Sequence, residues 1–416
     1  MKKVDTLIIG AGISGLTYGG HCKNEYLIVE KEDAPGGMCR TFYQDDFVWD
    51  YAGHFFHFKT ETIKRYFETH ISKSCMVTCR KNTKIYYKGE YIAYPFQMNI
   101  HQLPKTEFIE CLYDLHFREK RETYCNFEDM LYGKFGKGIT EKFLKPYNEK
   151  LYACHLDELD VDAMGRFFPY ANETEIIRNM KQPNSHSYNE VFEYPKQGAQ
   201  QFVDVLLGDI DRSCLQLQVA VERVDLQKHV AYLSSGEEIV YDKLVNTMPL
   251  INFLRIASLE DQAADRLNAN KVLVFNLGFD RKSLHEDIHW IYYPERKYCF
   301  YRVGFYDNIL QTEKMSLYVE IGYGSREEIS IEETLEAVLS DLKECGIITN
   351  HELRAWNYVE MNPAYVHVTK DTNAYLEKIF AQLKKRDVYS IGRYGGWKYC
   401  SIEDCMLEAI TLAEQV

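Results

Sequence analysis

Residues 4–30 contain the pattern that most strongly restricts the fold of this chain. The apolar run VDTLII leads directly into GAGISGL, and a second apolar run, YLIV, ends at Glu30. Gly10, Gly12 and Gly15 therefore form G-x-G-x-x-G between a predicted strand and a predicted helix. Such glycines permit a tight turn, close approach of the backbone to a pyrophosphate, and close packing of helix on strand. The pattern predicts a βαβ unit that binds a dinucleotide, with its phosphates at the helix N-terminus and its ribose on Glu30.

The residues after Glu30 indicate which dinucleotide is bound. EKEDAPGGMCRTF places a second pair of glycines just beyond the acid, and DYAGHFFHF follows. This arrangement resembles large flavoproteins of the glutathione-reductase and amine-oxidase type, and it implies FAD. The residues that the resemblance places at the cofactor are Gly36, Gly37, Met38, Arg40, Gly53, His54 and, in VAVERV, Val221.

The composition argues against several classes of protein. A net charge of -13 over 416 residues weighs against binding to nucleic acid, which requires a basic face. The twelve cysteines have irregular spacings without a metal-ligand cluster, so we expect no metal site and reduced thiols. No cleavage pattern follows the N-terminal MKK, and no apolar run approaches the ~18 residues of a membrane span. We therefore expect a cytoplasmic protein without a transmembrane segment, and its charge leaves open whether it forms homo-oligomers.

The order of strand-like and helix-like segments predicts an α/β protein with a discontinuous nucleotide domain. We expect a Rossmann-like FAD-binding domain built from residues 1–60, 195–250 and 386–416. Residues 61–194 have charged, helix-like patterns and predict an inserted, mostly helical domain. Residues 251–385, rich in aromatic strand-like segments, predict an antiparallel-sheet domain that covers the cofactor and binds substrate.

Further segments resemble the UDP-galactopyranose mutase family, and its eukaryotic-type branch in particular. The similar segments are collinear over nearly the whole chain: YAGHFFHF, YIAYPFQMNIHQLP, FLKPYNEKLY, HWIYYPERKYCFYRVGFYDN and GRYGGWKY. The resemblance implies the fold described above, which is shared with amine oxidases and protoporphyrinogen oxidases, and a UDP-sugar substrate.

The FLKPYNEKLY segment cradles uracil and ribose in that family, which assigns Phe143, Asn148 and Tyr152 to the nucleotide. An aromatic ring can stack on a base, and the side-chain amide of asparagine can both donate and accept hydrogen bonds at the edge of a base. Tyr152 stands where the family has Trp. The alternative is a helix start with packed aromatic side chains, because proline is favourable in a first helical turn.

Arg302, in FYRV, is expected to bind the diphosphate because a guanidinium is a planar, permanently charged fork. Ile309 stands where the family has a tyrosine that touches the diphosphate. The resemblance places Arg166 near a second diphosphate ligand, although a surface arginine is an equal alternative. The other residues that it assigns to the substrate are Trp290, Tyr292, Asn308, Tyr365, as the substitute for an altered Tyr-Pro pair, and Tyr399.

The last helix is expected to begin beside the flavin. The resemblance places Gly392, Arg393 and Ile402 at the cofactor, and Ser401 is the predicted N-cap of the helix. The resemblance gives the catalytic roles to His54, Arg302 and Tyr399, which are already assigned to the cofactor or the substrate. A lone histidine is otherwise more often structural.

The resemblance implies an isomerase that interconverts the pyranose and furanose forms of a UDP-sugar. In this chemistry N5 of reduced FAD forms an adduct with the anomeric carbon and UDP returns afterwards, without net oxidation. The flavin must be reduced by NAD(P)H or another reductant, and galactofuranose made this way serves cell-surface polysaccharide synthesis. The alternatives are an FAD-dependent amine-oxidase or protoporphyrinogen-oxidase-like enzyme and a binding protein without turnover.

Overall fold

The computed structural model describes residues 2–182, 190–259 and 266–416. The strands are β1 (Lys2–Ile9), β2 (Tyr26–Val29), β3 (Thr41–Gln44), β4 (Phe47–Asp50), β5 (Met76–Arg80), β6 (Thr83–Tyr87), β7 (Glu90–Ala93), β8 (Val191–Pro195), β9 (Leu215–Gln216), β10 (Val221–Asp225), β11 (Val230–Leu233), β12 (Glu238–Asn246), β13 (Asn268–Phe279), β14 (Trp290–Tyr292), β15 (Arg302–Phe305), β16 (Ser316–Gly324), β17 (Leu353–Met361), β18 (Val366–His367) and β19 (Val388–Ser390). The helices are α1 (Ile13–His21), α2 (Glu61–His70), α3 (Lys105–Phe117), α4 (Phe127–Ile139), α5 (Lys145–Tyr152), α6 (Glu173–Lys181), α7 (Gln200–Gly208), α8 (Leu250–Ile256), α9 (Tyr306–Leu310), α10 (Ile331–Glu344), α11 (Lys370–Lys384), α12 (Gly392–Gly395) and α13 (Ile402–Gln415).

The first sheet has the strand order β10-β11-β12-β1-β2-β9, with β19 paired to the end of β12. β1 runs parallel to β2 and β12, whereas β10, β11 and β12 form an antiparallel meander. Successive side chains of a strand point to opposite faces. Leu7 accordingly packs in a core with α8 and α11, and Ile8 in a core with α1, α7 and α13. Helices on both faces of a largely parallel sheet confirm the predicted α/β class.

The strands of this sheet come from three separated parts of the chain. β1 and β2 are N-terminal, β9 to β12 lie in the middle, and β19 is close to the C-terminus. This agrees with a nucleotide-binding domain built from discontinuous segments. The domain bounds remain a prediction.

The second sheet has the order β17-β13-β16-β15-β14-β6-β7, with β18 paired to β13. Its pairs are antiparallel except β14 with β6. Phe275 and its neighbours on one face pack against α10, while Val274 faces the core that contains the helical region. β6 and β7 belong to the segment 61–194 that was expected to be mostly helical, and they extend this sheet. The antiparallel pairing of β15 with β16 sets Arg302 opposite Glu320.

The FLKPYNEKLY segment runs from a π-helical turn, Thr140–Leu144, into α5, and Pro146 is the second residue of that helix. Leu144 and Lys145 both have right-handed helical dihedral angles, so the chain stays helical across the junction. α5 ends at Ala153, which has a left-handed backbone conformation (φ 51°). The segment therefore buries Phe143 and Tyr152, as the alternative has it, but within a continuous helical run and not at a helix start. Within the described ranges, no helix is both long and apolar enough to cross a membrane.

Candidate functional site

A large cleft of about 1890 Å³ is lined by residues of both sheets. One part of its wall consists of the glycine turns after β1 and β2 and the start of α13, and another consists of tyrosines and arginines from the second sheet. The predicted site residues that line it are Gly10, Gly12, Glu30, Gly36, Gly37, Met38, Arg40, Gly53, His54, Arg166, Val221, Trp290, Tyr292, Arg302, Tyr365, Arg393, Tyr399 and Ile402.

The two glycine turns face each other without side chains between them. Gly10 has a φ of 98°, which favours glycine, and the N–H of Gly36 donates to the Ala11 carbonyl at 2.8 Å. A Cβ on Gly37 would lie only 3.4 Å from Cα of Gly12. A Cβ on Gly15 would collide with the Gly10 carbonyl, so this third glycine serves close packing of α1, as predicted. The turns form a cradle of bare backbone at the N-terminus of α1, the arrangement that suits a pyrophosphate.

Glu30 is buried and rigidly held beside this cradle. Its two carboxylate oxygens accept the N–H groups of Ala11 at 2.8 Å and Glu32 at 3.0 Å. The remaining lone pairs of the carboxylate can accept ribose hydroxyls. Val221 lies on the same cleft wall, and Arg40 is paired with Asp33 at 2.8 Å. These residues fit the adenosine half of a dinucleotide.

His54 gives a second indication that a ligand belongs in the cleft. Its Nδ1 is buried and has no hydrogen-bond partner among the described residues, although buried polar atoms are normally paired. Burial lowers the pKa of His54 to about 4, so the imidazole is neutral at neutral pH. The bare glycine cradle, the oriented Glu30 and this unpaired nitrogen together fit FAD.

Arg302 and Glu320 form a bidentate ion pair in the wall of the cleft. Nε and Nη2 of Arg302 donate to the Glu320 carboxylate at 2.8 and 2.6 Å. The Glu320 side chain is 1% exposed and that of Arg302 is 21% exposed. Burial opposes the charge of Arg302, but the Glu320 carboxylate raises the pKa of the guanidinium, which stays charged. The pair holds a cation at the cleft surface in a defined orientation.

Arg393 lies over the rings of two predicted substrate residues. Its guanidinium carbon is 4.5 Å from the ring centre of Tyr399 and 5.4 Å from that of Tyr365, and these two rings stack at 5.8 Å. Nη1 of Arg393 donates to the Cys400 carbonyl at 3.2 Å. Within the part of the chain that the structure describes, no carboxylate lies within ion-pair distance of Arg393. The cleft therefore contains a cation whose charge is not neutralised by a neighbouring acid.

Aromatic side chains complete the second-sheet part of the wall. Trp290 stacks on Phe55 at 5.3 Å and donates through Nε1 to the hydroxyl of Tyr292 at 3.0 Å. Burial raises the pKa of Tyr292 and of Tyr365, so both hydroxyls remain protonated and can donate hydrogen bonds. Trp290, Tyr292 and Tyr365 thus lie together in the cleft wall, and their role in binding a sugar stays a prediction.

Four predicted substrate residues, Phe143, Asn148, Tyr152 and Asn308, do not line the cleft. Nδ2 of Asn148 donates to the Leu144 carbonyl at 2.6 Å, and Nδ2 of Asn308 to the Ile288 carbonyl at 2.6 Å. Both amides therefore satisfy backbone acceptors inside the protein.

The aromatic residues of this group lie behind the wall. Phe143 stacks on Tyr147, which meets the ring of Tyr292 edge-on at 5.0 Å, and Tyr152 meets Tyr365 edge-on at 5.8 Å. In this structure they support the cleft residues. The hydroxyl of Tyr152 and Oδ1 of Asn148 are nevertheless buried without a partner among the described residues.

Arg166 and Gly392 occupy the surroundings of α13. Arg166 forms an ion pair with Asp404, which lies in the first turn of that helix. Ser401 is the N-cap of α13, as predicted, and shares a capping box with Asp404. Gly392 (φ 82°) is not on the cleft surface, and a Cβ there would collide with Ser14.

The residues of the cleft wall that the sequence interpretation missed include Tyr94, Tyr301, Tyr318 and Glu320. Tyr94 belongs to YIAYPFQ, a segment that resembles the mutase family but for which no site residue is predicted from the sequence. Glu320 belongs to the strand pattern of KMSLYVEIGYG, and a buried acid in such a strand signals a cationic partner. Among the described residues, no group of three or more His, Cys, Asp or Glu is arranged to hold a metal ion.

Comparison with known proteins identifies the family. The model of the family described as flavin containing amine oxidoreductase matches residues 20–416. Reduced UDP-galactopyranose mutase has a similar structure, with a TM-score of 0.93 and 22% identity over 100% of this chain and 94% of that chain. A protein from Exiguobacterium sp. 255-15, assigned as a protoporphyrinogen oxidase, gives a TM-score of 0.78 and 16% identity over 100% and 98% of the two chains. Cyclohexylamine oxidase from Brevibacterium oxydans IH-35A gives 0.67 and 15% over 99% of each chain.

These likenesses confirm the fold that the sequence resemblance implied. The family match extends over nearly the whole chain, and the cradle in the cleft suits the flavin that gives the family its description. The protein therefore belongs to the family of flavin containing amine oxidoreductases.

Proposed function

We propose that the protein is a flavin-dependent isomerase that interconverts the pyranose and furanose forms of a UDP-sugar, with UDP-galactose as the first candidate. The observation that carries this proposal is the presence of two guanidinium groups, Arg302 and Arg393, in the same cleft as the flavin cradle. They attract a diphosphate and offer it planar hydrogen-bond donors. The charge of Arg393, which no carboxylate among the described residues neutralises, also disfavours a cationic substrate such as a protonated amine.

Arg302 is suited to hold the diphosphate because it is already oriented. Glu320 takes two of the five N–H bonds of the guanidinium, and the cation is fixed before a ligand arrives. The side-chain entropy lost on binding is therefore small. The Tyr399 hydroxyl, on a ring held between Arg393 and Phe167, would add a neutral donor to the same phosphate groups.

The FLKPYNEKLY segment supports a uridine site behind the present wall. The unpaired Oδ1 of Asn148 and the unpaired hydroxyl of Tyr152 are polar groups that a base edge could satisfy. Tyr152 is one layer behind Tyr365, and Tyr147, the neighbour of Asn148 in the chain, is one layer behind Tyr292, so we propose that Tyr292 and Tyr365 shift when the nucleotide binds. Tyr152 in place of tryptophan and Ile309 in place of tyrosine leave galactose as the part of the proposal that most needs testing.

The residues of this chain would bind and orient the reacting groups. Bound reduced flavin would supply the nucleophilic nitrogen that attacks the anomeric carbon. Arg302 and Tyr399 would stabilise the negative charge of UDP as it leaves and keep UDP in the cleft until it returns. His54, neutral because of its burial, would pack beside the cofactor without adding charge.

We also propose NAD(P)H or another reductant for the initial reduction of the flavin, and a cytoplasmic location. The furanose product would serve glycosyl transfer into galactofuranose-containing polysaccharide at the cell surface. The reductant acts before the isomerisation and is not consumed by it.

Product analysis tests the proposed reaction. The purified holoprotein is reduced with dithionite without oxygen, incubated with UDP-galactopyranose, and the nucleotide sugars are separated by chromatography. We expect UDP-galactofuranose to form only with the reduced protein, and the absorption spectrum should remain that of reduced flavin throughout. The oxidised protein is the control. No isomer, together with reduction of the oxidised flavin by an amine or a porphyrinogen, would replace this proposal with the oxidase alternative.

A further inference from the structure

Cys400 and Cys405 lie close together at the start of α13. Their Sγ atoms are 3.5 Å apart, and both side chains are buried in the wall of the cleft. Ser401 is the N-cap, so Cys400 precedes the cap and Cys405 is the fourth residue of the helix. These two positions normally carry a pair of apolar side chains that fix the direction of the chain into the helix. Here the contact is made by two thiols.

The surroundings make one of these thiols the better nucleophile. The two sulfurs share one hydrogen bond in which either can be the donor, and their coupling lowers the pKa of Cys405 and raises that of Cys400. Cys405 lies in the first turns of a fourteen-residue helix, whose N-terminal dipole favours a thiolate. Ser14, at the start of α1, also helps to lower the pKa of Cys405.

The other cysteines do not share this arrangement. All twelve are free thiols, and all lie in the described ranges, where no other two cysteine sulfurs are within hydrogen-bonding distance. Cys39 lies on the same cleft wall, but burial raises its pKa, so its thiolate is disfavoured.

We propose that Cys400 and Cys405 are a redox-active dithiol that small-molecule disulfides convert to an intramolecular disulfide. The Cys405 thiolate attacks a sulfur of the small disulfide, and one small thiolate leaves. This thiolate takes the proton of Cys400, whose sulfur then attacks Cys405 and displaces the second small thiolate. The protein loses two electrons, and the small disulfide is reduced to two thiols. The sulfurs must approach from 3.5 Å to about 2.05 Å, which places only the start of α13 under constraint.

The position of the pair gives this reaction a consequence for the cofactor wall. Cys405 contacts Ser14, Cys400 presents the carbonyl that accepts from Arg393, and both thiols line the cleft. Formation of the disulfide therefore constrains the start of α13 where it adjoins Ser14 and Arg393. The proposal does not depend on which sugar nucleotide the enzyme uses.

Peptide mapping of the holoprotein tests the dithiol directly. The protein is equilibrated in glutathione buffers of increasing oxidised fraction, alkylated with iodoacetamide and digested with trypsin. Cleavage after Lys398 gives one peptide, residues 399–416, that carries both thiols and no other cysteine. In oxidising buffer we expect this peptide to carry no alkyl group and to be two hydrogens lighter than the dithiol peptide. After treatment with dithiothreitol, alkylation should add two alkyl groups again. The Cys39 peptide, residues 32–40, should stay alkylated throughout.

Two variants test which cysteines form the disulfide. Cys405→Ser should leave Cys400 alkylated in every buffer, whereas Cys39→Ser should leave disulfide formation in peptide 399–416 unchanged. Full alkylation of the wild-type peptide in oxidised glutathione would overturn the proposal. A stable glutathione adduct without ring closure, or loss of the disulfide in Cys39→Ser, would overturn it as well.

Discussion

Arg302 and Glu320 face each other across β15 and β16 and form two hydrogen bonds, at 2.8 and 2.6 Å. The register of the two strands sets this pair, and the carboxylate is almost completely buried. Taking two charges out of water is costly, so such a pair is weak evidence for added stability. Its more direct consequence is an arginine held in one orientation at the cleft surface.

Glu320→Gln should destabilise the protein without changing the fold. The amide keeps the shape of the side chain but leaves the buried guanidinium without its counter-charge, at a cost of about 3 kcal/mol. A lower Tm in differential scanning fluorimetry is the expected result. The double variant Arg302→Met with Glu320→Leu should recover most of that Tm, because an apolar pair of similar size can replace a buried ion pair. An unchanged Tm for Glu320→Gln would show that the acid does not neutralise Arg302.

Tyr399→Phe should reduce turnover of the UDP-sugar and leave stability unchanged. The ring contacts with Arg393, Tyr365 and Phe167 remain, and only the hydroxyl is lost. A hydrogen bond to a charged phosphate contributes about 1.5–3 kcal/mol, so kcat/KM should fall by about 10- to 150-fold. Tyr358→Phe, at an exposed position of β17, is the control. Equal kcat/KM for the two variants would exclude a role for the Tyr399 hydroxyl.

Gly12→Ala should lower the flavin content of the purified protein. The backbone of Gly12 has φ −79°, which alanine adopts freely, and the nearest atom to the added Cβ is 3.9 Å away. The methyl group therefore fits the protein and fills only the cradle. We expect cofactor affinity to fall by about tenfold or more, or at least ~1.4 kcal/mol. Gly208→Ala, where a Cβ meets nothing within 4 Å, should keep the wild-type ratio of flavin to protein, and equal ratios in both variants would contradict the cradle.

His54 should make stability depend on pH in the acidic range. Burial lowers its pKa from 6.5 to about 4, so the unfolded chain gains a proton there before the folded protein does. The contribution of His54 to stability is present above pH 6.5 and is lost as the pH falls toward 4. The Tm of the wild type should therefore fall more steeply over this range than that of His54→Gln. Parallel Tm curves would show that His54 titrates normally.

The glycine cradle could be predicted from the sequence because its requirements are local. Gly10, Gly12 and Gly15 are constrained by a turn, a bare backbone and a helix contact within one short segment. Glu30 follows from the same unit, because the next parallel strand ends beside the first. The pattern of the chain therefore predicts a dinucleotide-binding arrangement and the residues that form it.

The relation between Arg302 and Glu320 could not be predicted in the same way. Alternation in KMSLYVEIGYG indicates a strand, but the register with another strand depends on contacts distant in sequence.

Phe143, Asn148 and Tyr152 show a different difficulty. Phe143 lies in a π-helical turn and the other two lie in the helix that follows it, and the sequence carried no sign of that turn. The resemblance assigned these residues to the substrate, whereas the structure places them behind the cleft wall.

The most direct test of the account is UDP binding to the dithionite-reduced and the oxidised holoprotein by calorimetry, with UMP and an adenine nucleotide as controls. We predict that the reduced wild type binds UDP more tightly than either control. Arg302→Lys, which keeps the charge but loses the planar fork, should weaken UDP binding by about 1.5–3 kcal/mol and change UMP binding less. Equal affinity for UDP and the adenine nucleotide in both redox states would contradict the proposed UDP-sugar site.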